Sequence, residues 1–234
     1  MREYQDSNHM EKVLPHDEHQ PVIYIPHRHI CRPTSTTTKL RVVFDGSSIM
    51  DSGLALNDYL LKGPKLQKDI ICILINFRFS RYVFSADIKQ MFRQMLIHHK
   101  YRPYQCILWR NELTGPVIPY RLNTVTYGMV TSPYQALRTL RQLSEDEEAT
   151  YPVASKLLKR DFYGDKVMTG MDTTDQLLCL QQELNSLLER GGFKLRKWAS
   201  NCPAILEKVP LEHRVTQLPL HNDSDTAVKL LGVS

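Results

Sequence analysis

The fold is decided by the stretch Arg160-Asp161-Phe162-Tyr163-Gly164-Asp165-Lys166-Val167-Met168-Thr169-Gly170, in which two apolar-leaning runs meet at a tight turn. Glycine at the first central position favours a type II′ hairpin turn and places Asp165 at its tip. A carboxylate at a hairpin tip is exposed and rigidly aimed, which suits a metal ligand. The alternative is that Gly-Asp only makes the turn and that the carboxylate is solvated.

A second aspartate gives Asp165 a possible partner. Asp87 ends the apolar run that begins at Arg81, and this run predicts a strand. The end of a buried strand is a common position for a metal ligand, although an aspartate there also caps a following helix. If the two strands are neighbours, Asp87 and Asp165 can hold two divalent ions roughly 4 Å apart and support in-line phosphoryl transfer.

The remaining pattern predicts an α+β protein. Apolar spacing predicts a helix over residues 66–79, and Ser132-Pro133 is a typical helix start. Strands over 104–110 and 117–122 predict an antiparallel hairpin. Helices near 133–147, 152–159 and 175–190 follow, the last ending at Gly191-Gly192. We therefore expect an antiparallel sheet carrying both aspartates and backed by helices.

Basic side chains recur on two predicted strands. Lys39 and Arg41 alternate and share one face, which suits phosphate groups or a solvated edge strand. Lys194, Arg196 and Lys197 are interleaved with aromatic residues between 193 and 198. That pattern suits contact with a nucleic-acid backbone, and equally an edge strand whose cations extend into solvent.

Bulk composition excludes several classes of protein. The 234 residues are 42% hydrophobic and 24% charged, as in ordinary globular proteins, and the net charge of +5 permits a polyanionic partner without requiring one. The five scattered cysteines show no zinc or disulfide spacing, which favours a reducing, intracellular and cytoplasmic setting. No apolar run approaches the ~20 residues of a membrane span, so no membrane partner is expected.

Three further segments are interpreted as follows. Residues 1–20 are polar and are expected to form a loose tail. His27, His29 and Cys31 lack a fourth metal ligand, so a surface loop is expected there. Asp51-Ser52-Gly53 is the tripeptide of aspartic proteases, but its flanks resemble turns, and a single such tripeptide occurs by chance.

The order of these motifs resembles a reverse transcriptase, and specifically those of BEL/Pao-type LTR retrotransposons, from about Tyr24 to the C-terminus. Each motif is weak alone, and their order carries the resemblance. The motifs are Lys39-Leu40-Arg41-Val42-Val43-Phe44-Asp45, Leu56-Asn57-Asp58, Gly63-Pro64, Ser85-Ala86-Asp87-Ile88, Ile107-Leu108-Trp109-Arg110, Tyr127-Gly128 with Ser132-Pro133, Phe162-Tyr163-Gly164-Asp165, and Phe193-Lys194-Leu195-Arg196-Lys197-Trp198.

The resemblance implies roles for matching positions and a fingers–palm fold without a thumb. The implied activity is RNA-directed DNA polymerisation on a template–primer, with dNTP and two Mg²⁺ ions. Fingers are expected at about 21–80 and 100–125, and the palm at about 81–99 and 126–234, cut at a primer grip that begins at Leu230–Val233. The implied metal ligands are Asp87, the Ile88 carbonyl and Asp165. The implied nucleotide contacts are Lys39, Arg41, Tyr127, Gly128 and Phe92, of which Phe92 is the steric gate. The implied nucleic-acid contacts are Tyr163, Lys194, Arg196 and Lys197.

Lys166 departs from the family pattern, which has a second aspartate there. Replacing a negative by a positive charge turns attraction for metal ions into repulsion of several kcal/mol, even at an effective dielectric of about 20. On an extended strand Asp161 is about 13 Å from Asp165 and does not substitute. We expect Lys166 to pair with Asp87 or Asp165, leaving an impaired polymerase or a non-catalytic nucleic-acid-binding remnant; a lesser alternative is a protease acting through Asp51.

Overall fold

The computed structural model describes residues 1–14, 22–31 and 40–217. The helices are α1 (Arg2–Asp6), α2 (Leu56–Tyr59), α3 (Ile70–Phe79), α4 (Ser132–Asp146), α5 (Pro152–Arg160), α6 (Thr174–Arg190) and α7 (Pro203–Glu207). The strands are β1 (Met10–Lys12), β2 (His27–Cys31), β3 (Leu40–Phe44), β4 (Tyr82–Ile88), β5 (Cys106–Trp109), β6 (Ile118–Leu122), β7 (Phe162–Tyr163), β8 (Lys166–Met171), β9 (Leu195–Ser200) and β10 (Arg214–Gln217). Short 3₁₀ helices lie at Met91–Gln94, His99–Tyr104 and Leu211–His213.

The chain forms two compact units. The first comprises residues 1–65 and 92–136, and the second comprises residues 66–91 with those from 137 onward. The first unit contains a three-stranded sheet in the order β1-β6-β5 and the antiparallel pair β2-β3. Its core includes Phe44, Ile107, Tyr120 and Leu122, each at most 2% exposed. The second unit contains a five-stranded sheet in the order β10-β9-β4-β8-β7. The expected antiparallel sheet is found over β9-β4-β8-β7, whereas β10 pairs parallel with β9.

Strand β4 lies at the centre of the five-stranded sheet. It pairs antiparallel with both β8 and β9, and every residue from Val83 to Ile88 is buried. A strand covered on both faces has a continuous apolar pattern rather than an alternating one, which is why residues 81–87 are recognisable from sequence. Helix α6 supplies part of the cover, through buried leucines on one face: Leu177, Leu180, Leu184, Leu187 and Leu188.

Helix α3 lies in the second unit, although its residues fall within the range expected for the fingers. Ile73 and Phe77 pack with Val83 of β4 and Met168 of β8 in one buried cluster. The expected boundary near residue 80 therefore differs from the unit boundary at residues 65 and 66. The physical reason is that the apolar face of α3 is buried against the sheet that follows it in the chain.

Residues 1–14 are not the loose tail that their polarity suggested. They form α1 and β1, and β1 pairs antiparallel with β6 in the register Met10↔Leu122. Met10 is 3% exposed and joins the core of the first unit. The expected surface loop at residues 26–29 is also a strand in part, because β2 pairs with β3 and His27 packs beside Phe44 and Trp109.

A buried arginine fixes this N-terminal segment. Arg93 is 8% exposed; its Nε donates to His9 Nδ1 at 2.9 Å, and its Nη1 lies 2.9 Å from Glu3 Oε1. The guanidinium also lies 4.1 Å from the centre of the Tyr4 ring. Because Nδ1 of His9 accepts this hydrogen bond, the imidazole must be neutral for the contact to form.

We expect the N-terminal segment to be weakened by acid. Burial and the neighbouring Arg93 charge lower the pKa of His9 below its ordinary value of 6.5, although Glu3 acts in the opposite direction. A lowered histidine pKa contributes stability above pH 6.5 that is lost as the pH falls through the folded-state pKa. His9→Gln keeps an acceptor without the titration. The melting temperature of the wild type should therefore fall more between pH 7.5 and 5.5 than that of His9→Gln; equal falls would contradict the assignment.

Within the described ranges, no helix is both long enough and apolar enough to cross a membrane. Two predicted features, Lys39 and the segment Leu230–Val233, lie outside the described residues.

Candidate functional site

The turn between β7 and β8 has the predicted geometry. Tyr163 pairs with Lys166, so Gly164 and Asp165 are the two loop residues. Gly164 has φ +60°, whereas Asp165 is not among the residues with positive φ, as a type II′ turn requires. The N–H of Gly164 donates to Gln67 Oε1 at 3.2 Å, and Tyr163 packs against the cluster around Ile73 and Phe77. The turn is therefore held in place, and its tip is aimed by the sheet.

The sheet brings Asp87 and the turn together. Asp87 is directly opposite Lys166 in the β4–β8 register, one residue from Asp165. The N–H of Ile88 donates to the carbonyl of Asp165 at 2.7 Å, which ties the end of β4 to the hairpin tip. The predicted adjacency of the strands that carry the two aspartates is thus present in the structure.

Two lysines converge on Asp87. Lys166 Nζ lies 2.8 Å from Oδ1, and Lys197 Nζ lies 3.2 Å from Oδ2. The side chain of Asp87 is 10% exposed, while those of Lys166 and Lys197 are 17% and 33% exposed. The expected pairing of Lys166 with an aspartate is confirmed for Asp87. Oδ1 has no partner in hydrogen-bond geometry, so its contact with Lys166 is an ion pair that lacks that alignment.

Lys197 reaches Asp87 because β9 contains a bulge. Ser85 pairs with Ala199 and Asp87 with Arg196, so β9 has one more residue than β4 over this interval. Lys197 has φ +54°, in the left-handed region that a non-glycine residue enters at a cost of about 1–2 kcal/mol. Bulges redirect side chains, and this one turns Lys197 toward the carboxylate. From the sequence Lys197 is expected to contact nucleic acid, and no local pattern indicates its ion pair with Asp87.

The surroundings of Asp165 disfavour the ionised form of its carboxyl group. Its pKa is raised above the ordinary value of 3.8, first because the surrounding protein displaces water from the carboxylate and second because Asp87 is a like charge. Lys166 and Lys197 act in the opposite direction without cancelling these effects. As a residue Asp165 is exposed, so solvent partly screens these charges.

Asp165→Asn is expected to stabilise the fold near neutral pH. A raised carboxyl pKa means that the folded state binds its proton more tightly, so stability falls as the pH rises from 3.8 through the folded-state value. Asparagine removes the ionisation and keeps the shape of the side chain. The variant should melt at a higher temperature than the wild type at pH 7, and the difference should shrink toward pH 4. A difference that is constant across this range would contradict the electrostatic cause.

The side chains around Asp87 do not fit a pair of divalent ions. Mg²⁺ requires oxygen ligands in near-octahedral geometry, whereas here two ammonium groups contact the carboxylate that should ligate it. Across the part of the chain that the structure describes, no group of three or more His, Cys, Asp or Glu side chains could hold a metal ion. Asp161 offers no replacement, because its carboxylate accepts from Arg160 at 2.6 and 2.7 Å and from Thr169 Oγ1 at 2.7 Å.

The first unit carries the residues predicted to contact the nucleotide. Phe92 and Tyr127 lie edge to face with ring centres 4.6 Å apart, and Arg41 is exposed on β3. Gly128 has φ +96°, and a Cβ at this position would collide with the carbonyl oxygen of Phe44. Phe92 therefore lies beside Tyr127. At position 128 only glycine fits, because any side chain would collide with the backbone of Phe44.

Asn57 holds the Gly128 loop and was not identified as functional from the sequence. Its Nδ2 donates to the Gly128 carbonyl at 2.9 Å and to Ser47 Oγ at 2.8 Å, and its Oδ1 accepts from the N–H of Val130 at 3.0 Å. The available signal was its place in the Leu56-Asn57-Asp58 motif. Asp51, by contrast, is exposed on a turn, whereas an aspartic protease needs two carboxylates that share a proton.

Basic residues surround the end of the five-stranded sheet. Lys89 and Lys194 are exposed, and the N–H of Lys89 donates to the carbonyl of Lys194 at 2.8 Å. Arg196 is directly opposite Asp87, and its Nε is buried without a hydrogen-bond partner. These positions suit a surface for anions, as the alternation of residues 193–198 predicted.

Comparison with known proteins bears on the fold. No protein-family model matches the chain, and no curated protein matches it. Among solved structures it is similar to one described as "Structure of the foamy viral protease-reverse transcriptase dRH in complex with ds DNA", with a TM-score of 0.61 and 16% sequence identity. The similarity covers 82% of this chain and 28% of that one, so this chain spans less than a third of its neighbour's length. The protein therefore has an α+β fold whose sheets are antiparallel except for the parallel pair β10–β9, and this fold resembles that of a reverse transcriptase.

Proposed function

We propose that this chain is the fingers–palm part of a reverse transcriptase from a BEL/Pao-type retrotransposon, that it binds a template–primer, and that its polymerase site is impaired. In this proposal the palm contains the five-stranded sheet with Asp87 and Asp165. The fingers contain the two sheets of the first unit, and Arg41 lies on strand β3 of one of them. The family activity would be attack of a primer 3′-hydroxyl on the α-phosphate of a dNTP.

One observation carries the proposal: Asp87 and the Gly164-Asp165 turn lie at the same end of the sheet, with Lys166 Nζ 2.8 Å from Asp87. The adjacency of β4 and β8 supports a polymerase ancestry, because it places Asp87 and the Asp165 turn at one sheet end, as a two-metal site for nucleotidyl transfer needs. The ion pair supports impairment, because an ammonium occupies one oxygen of the first expected ligand. In this proposal the site binds Mg²⁺ poorly.

Retained binding of nucleic acid is supported by exposed cations in each of the two units. Lys194 and Lys89 are exposed, and Arg41 is exposed in the other unit. Contacts of lysine and arginine with phosphates release counterions, so the affinity for a duplex should fall with salt by about 0.9 logarithmic units per contact and per tenfold salt. Impaired chemistry and retained binding are therefore separable properties of this chain.

The test compares the wild type, Lys166→Asp and Lys166→Asn on an RNA template with a DNA primer. Gel shifts over a range of salt measure binding, and extension with dNTP and Mg²⁺ measures chemistry. We expect salt-dependent binding by all three proteins and extension by Lys166→Asp only. Lys166→Asn is the matched control, because it removes the cation without adding a third carboxylate.

Two results would overturn the proposal. Efficient Mg²⁺-dependent extension by the wild type would show that Lys166 does not impair the site. Failure of every variant to bind the duplex at low salt, with far-UV circular dichroism showing folded protein, would remove the nucleic-acid partner itself.

A further inference from the structure

Five cations and two carboxylates meet at one end of the five-stranded sheet. The cations are Lys89, Lys166, Lys194, Arg196 and Lys197, and the carboxylates are Asp87 and Asp165, which leaves a local net charge of +3. Within this group Asp87 alone balances two ammonium ions at 2.8 and 3.2 Å. The polypeptide thus places fixed positive charge where the family would bind mobile metal ions.

Hydrogen-bond donors at this sheet end exceed the acceptors that contact them. A lysine ammonium has three N–H donors, and Lys166 and Lys197 share the two oxygens of one carboxylate. Arg196, opposite Asp87 in the register, has a buried Nε without a hydrogen-bond partner. A buried donor that lacks a partner is destabilising, and an anionic oxygen that pairs with it would remove that cost.

The strained backbone at Lys197 also favours a binding site at this sheet end. Its φ of +54° and the bulge in β9 together bring its ammonium to Asp87. Left-handed non-glycine residues are uncommon and cluster at functional sites, because the rest of the fold must stabilise them. The side chain of Lys197 is 33% exposed, so a ligand from solvent can reach it.

We propose that Lys166, Arg196 and Lys197 form a phosphate-binding site that works without a divalent metal. Lysine binds phosphate as a point charge, and three cations at one sheet end match the several negative charges of a phosphate chain. The ligand chemistry is a row of phosphate groups, which a nucleoside triphosphate and a nucleic-acid backbone both present. This inference rests on the proposed function in naming what the impaired site binds.

The test uses the full chain in EDTA, with sodium tripolyphosphate as the probe and isothermal titration as the readout. We expect binding in EDTA that added Mg²⁺ does not strengthen. Lys197→Met and Arg196→Met should each weaken binding about tenfold. Lys208→Met is the matched control, because it removes an exposed lysine from the same unit and should leave the affinity unchanged. Far-UV circular dichroism verifies that each variant is folded.

Competition then identifies the source of the phosphates. Displacement of tripolyphosphate by a duplex supports a nucleic-acid backbone, whereas displacement by dATP but not by a duplex supports a free nucleotide. Binding that requires Mg²⁺, or that survives both Lys197→Met and Arg196→Met, would overturn the inference. If a duplex binds and tripolyphosphate does not, the phosphate site is disproved and the proposed function stands. If tripolyphosphate binds and a duplex does not, the proposed function is disproved and the phosphate site stands.

Discussion

Lys166→Asp is expected to convert this chain from a protein indifferent to Mg²⁺ into one that Mg²⁺ stabilises. Without metal, the variant places a third carboxylate beside Asp87 and Asp165 and removes the ion pair at 2.8 Å. Breaking a buried pair and adding like charges should lower the free energy of unfolding by about 2–3 kcal/mol. Metal at 100 times its Kd would then restore about 2.7 kcal/mol.

Thermal melts in EDTA and over a range of Mg²⁺ or Mn²⁺ concentrations measure both effects. Lys166→Asn should be destabilised by only about 1 kcal/mol, because Asp87 keeps Lys197 as its partner, and should respond little to metal. If the wild type gains as much melting temperature from Mg²⁺ as Lys166→Asp does, the ion pair does not exclude metal and the interpretation of Lys166 is wrong.

Gly128→Ala is expected to destabilise the first unit by at least about 3 kcal/mol. Three causes act together: φ +96° is strained for alanine, the new Cβ meets the Phe44 carbonyl, and any shift to relieve the collision pulls Gly128 away from Asn57. Backbone atoms of β3 cannot rotate aside as a side chain can. The expected loss of melting temperature is about 6–12 °C for a chain of this length.

Gly53→Ala provides the comparison for Gly128→Ala. Gly53 has φ +81° in the same unit, but nothing lies within 4 Å of the added Cβ, so only conformational strain of about 1 kcal/mol applies. Chemical denaturation of both variants separates the two contributions. If Gly53→Ala and Gly128→Ala lower the free energy of unfolding equally, the predicted collision with the Phe44 carbonyl does not destabilise the protein.

The second unit was the more predictable part of the fold because its signals are local. The apolar run of β4, the Gly-Asp turn and the leucine spacing of α6 each determine their own element. The adjacency of the strands next to Asp87 and Asp165 was only a condition of the sequence argument, and it depends on the pairing of β4 with β8. The bulge at Lys197 could not be foreseen, since it depends on the register between β4 and β9 and leaves no mark in the sequence of β9.

The first unit contains elements that local sequence patterns do not predict. Strand β1 has the sequence Met-Glu-Lys, which carries no strand pattern, and it exists because Met10 pairs with Leu122 far along the chain. Arg93 likewise has no local signal, and its burial depends on Glu3, Tyr4 and His9. Tertiary pairing decided these elements, and polarity alone suggested a loose tail.

The contact of Lys197 with Asp87 also bears on how this chain can change during evolution. Because Asp87 has a second cation at 3.2 Å, an uncharged residue at position 166 would still leave the carboxylate partnered. Stable folding would then depend only weakly on which neutral residue occupies position 166, whereas the activity in the proposed function requires an aspartate there. Under the proposed function, a substitution at this one position would abolish polymerisation and leave the fold intact, and the reverse substitution would stay available for as long as the fold persists.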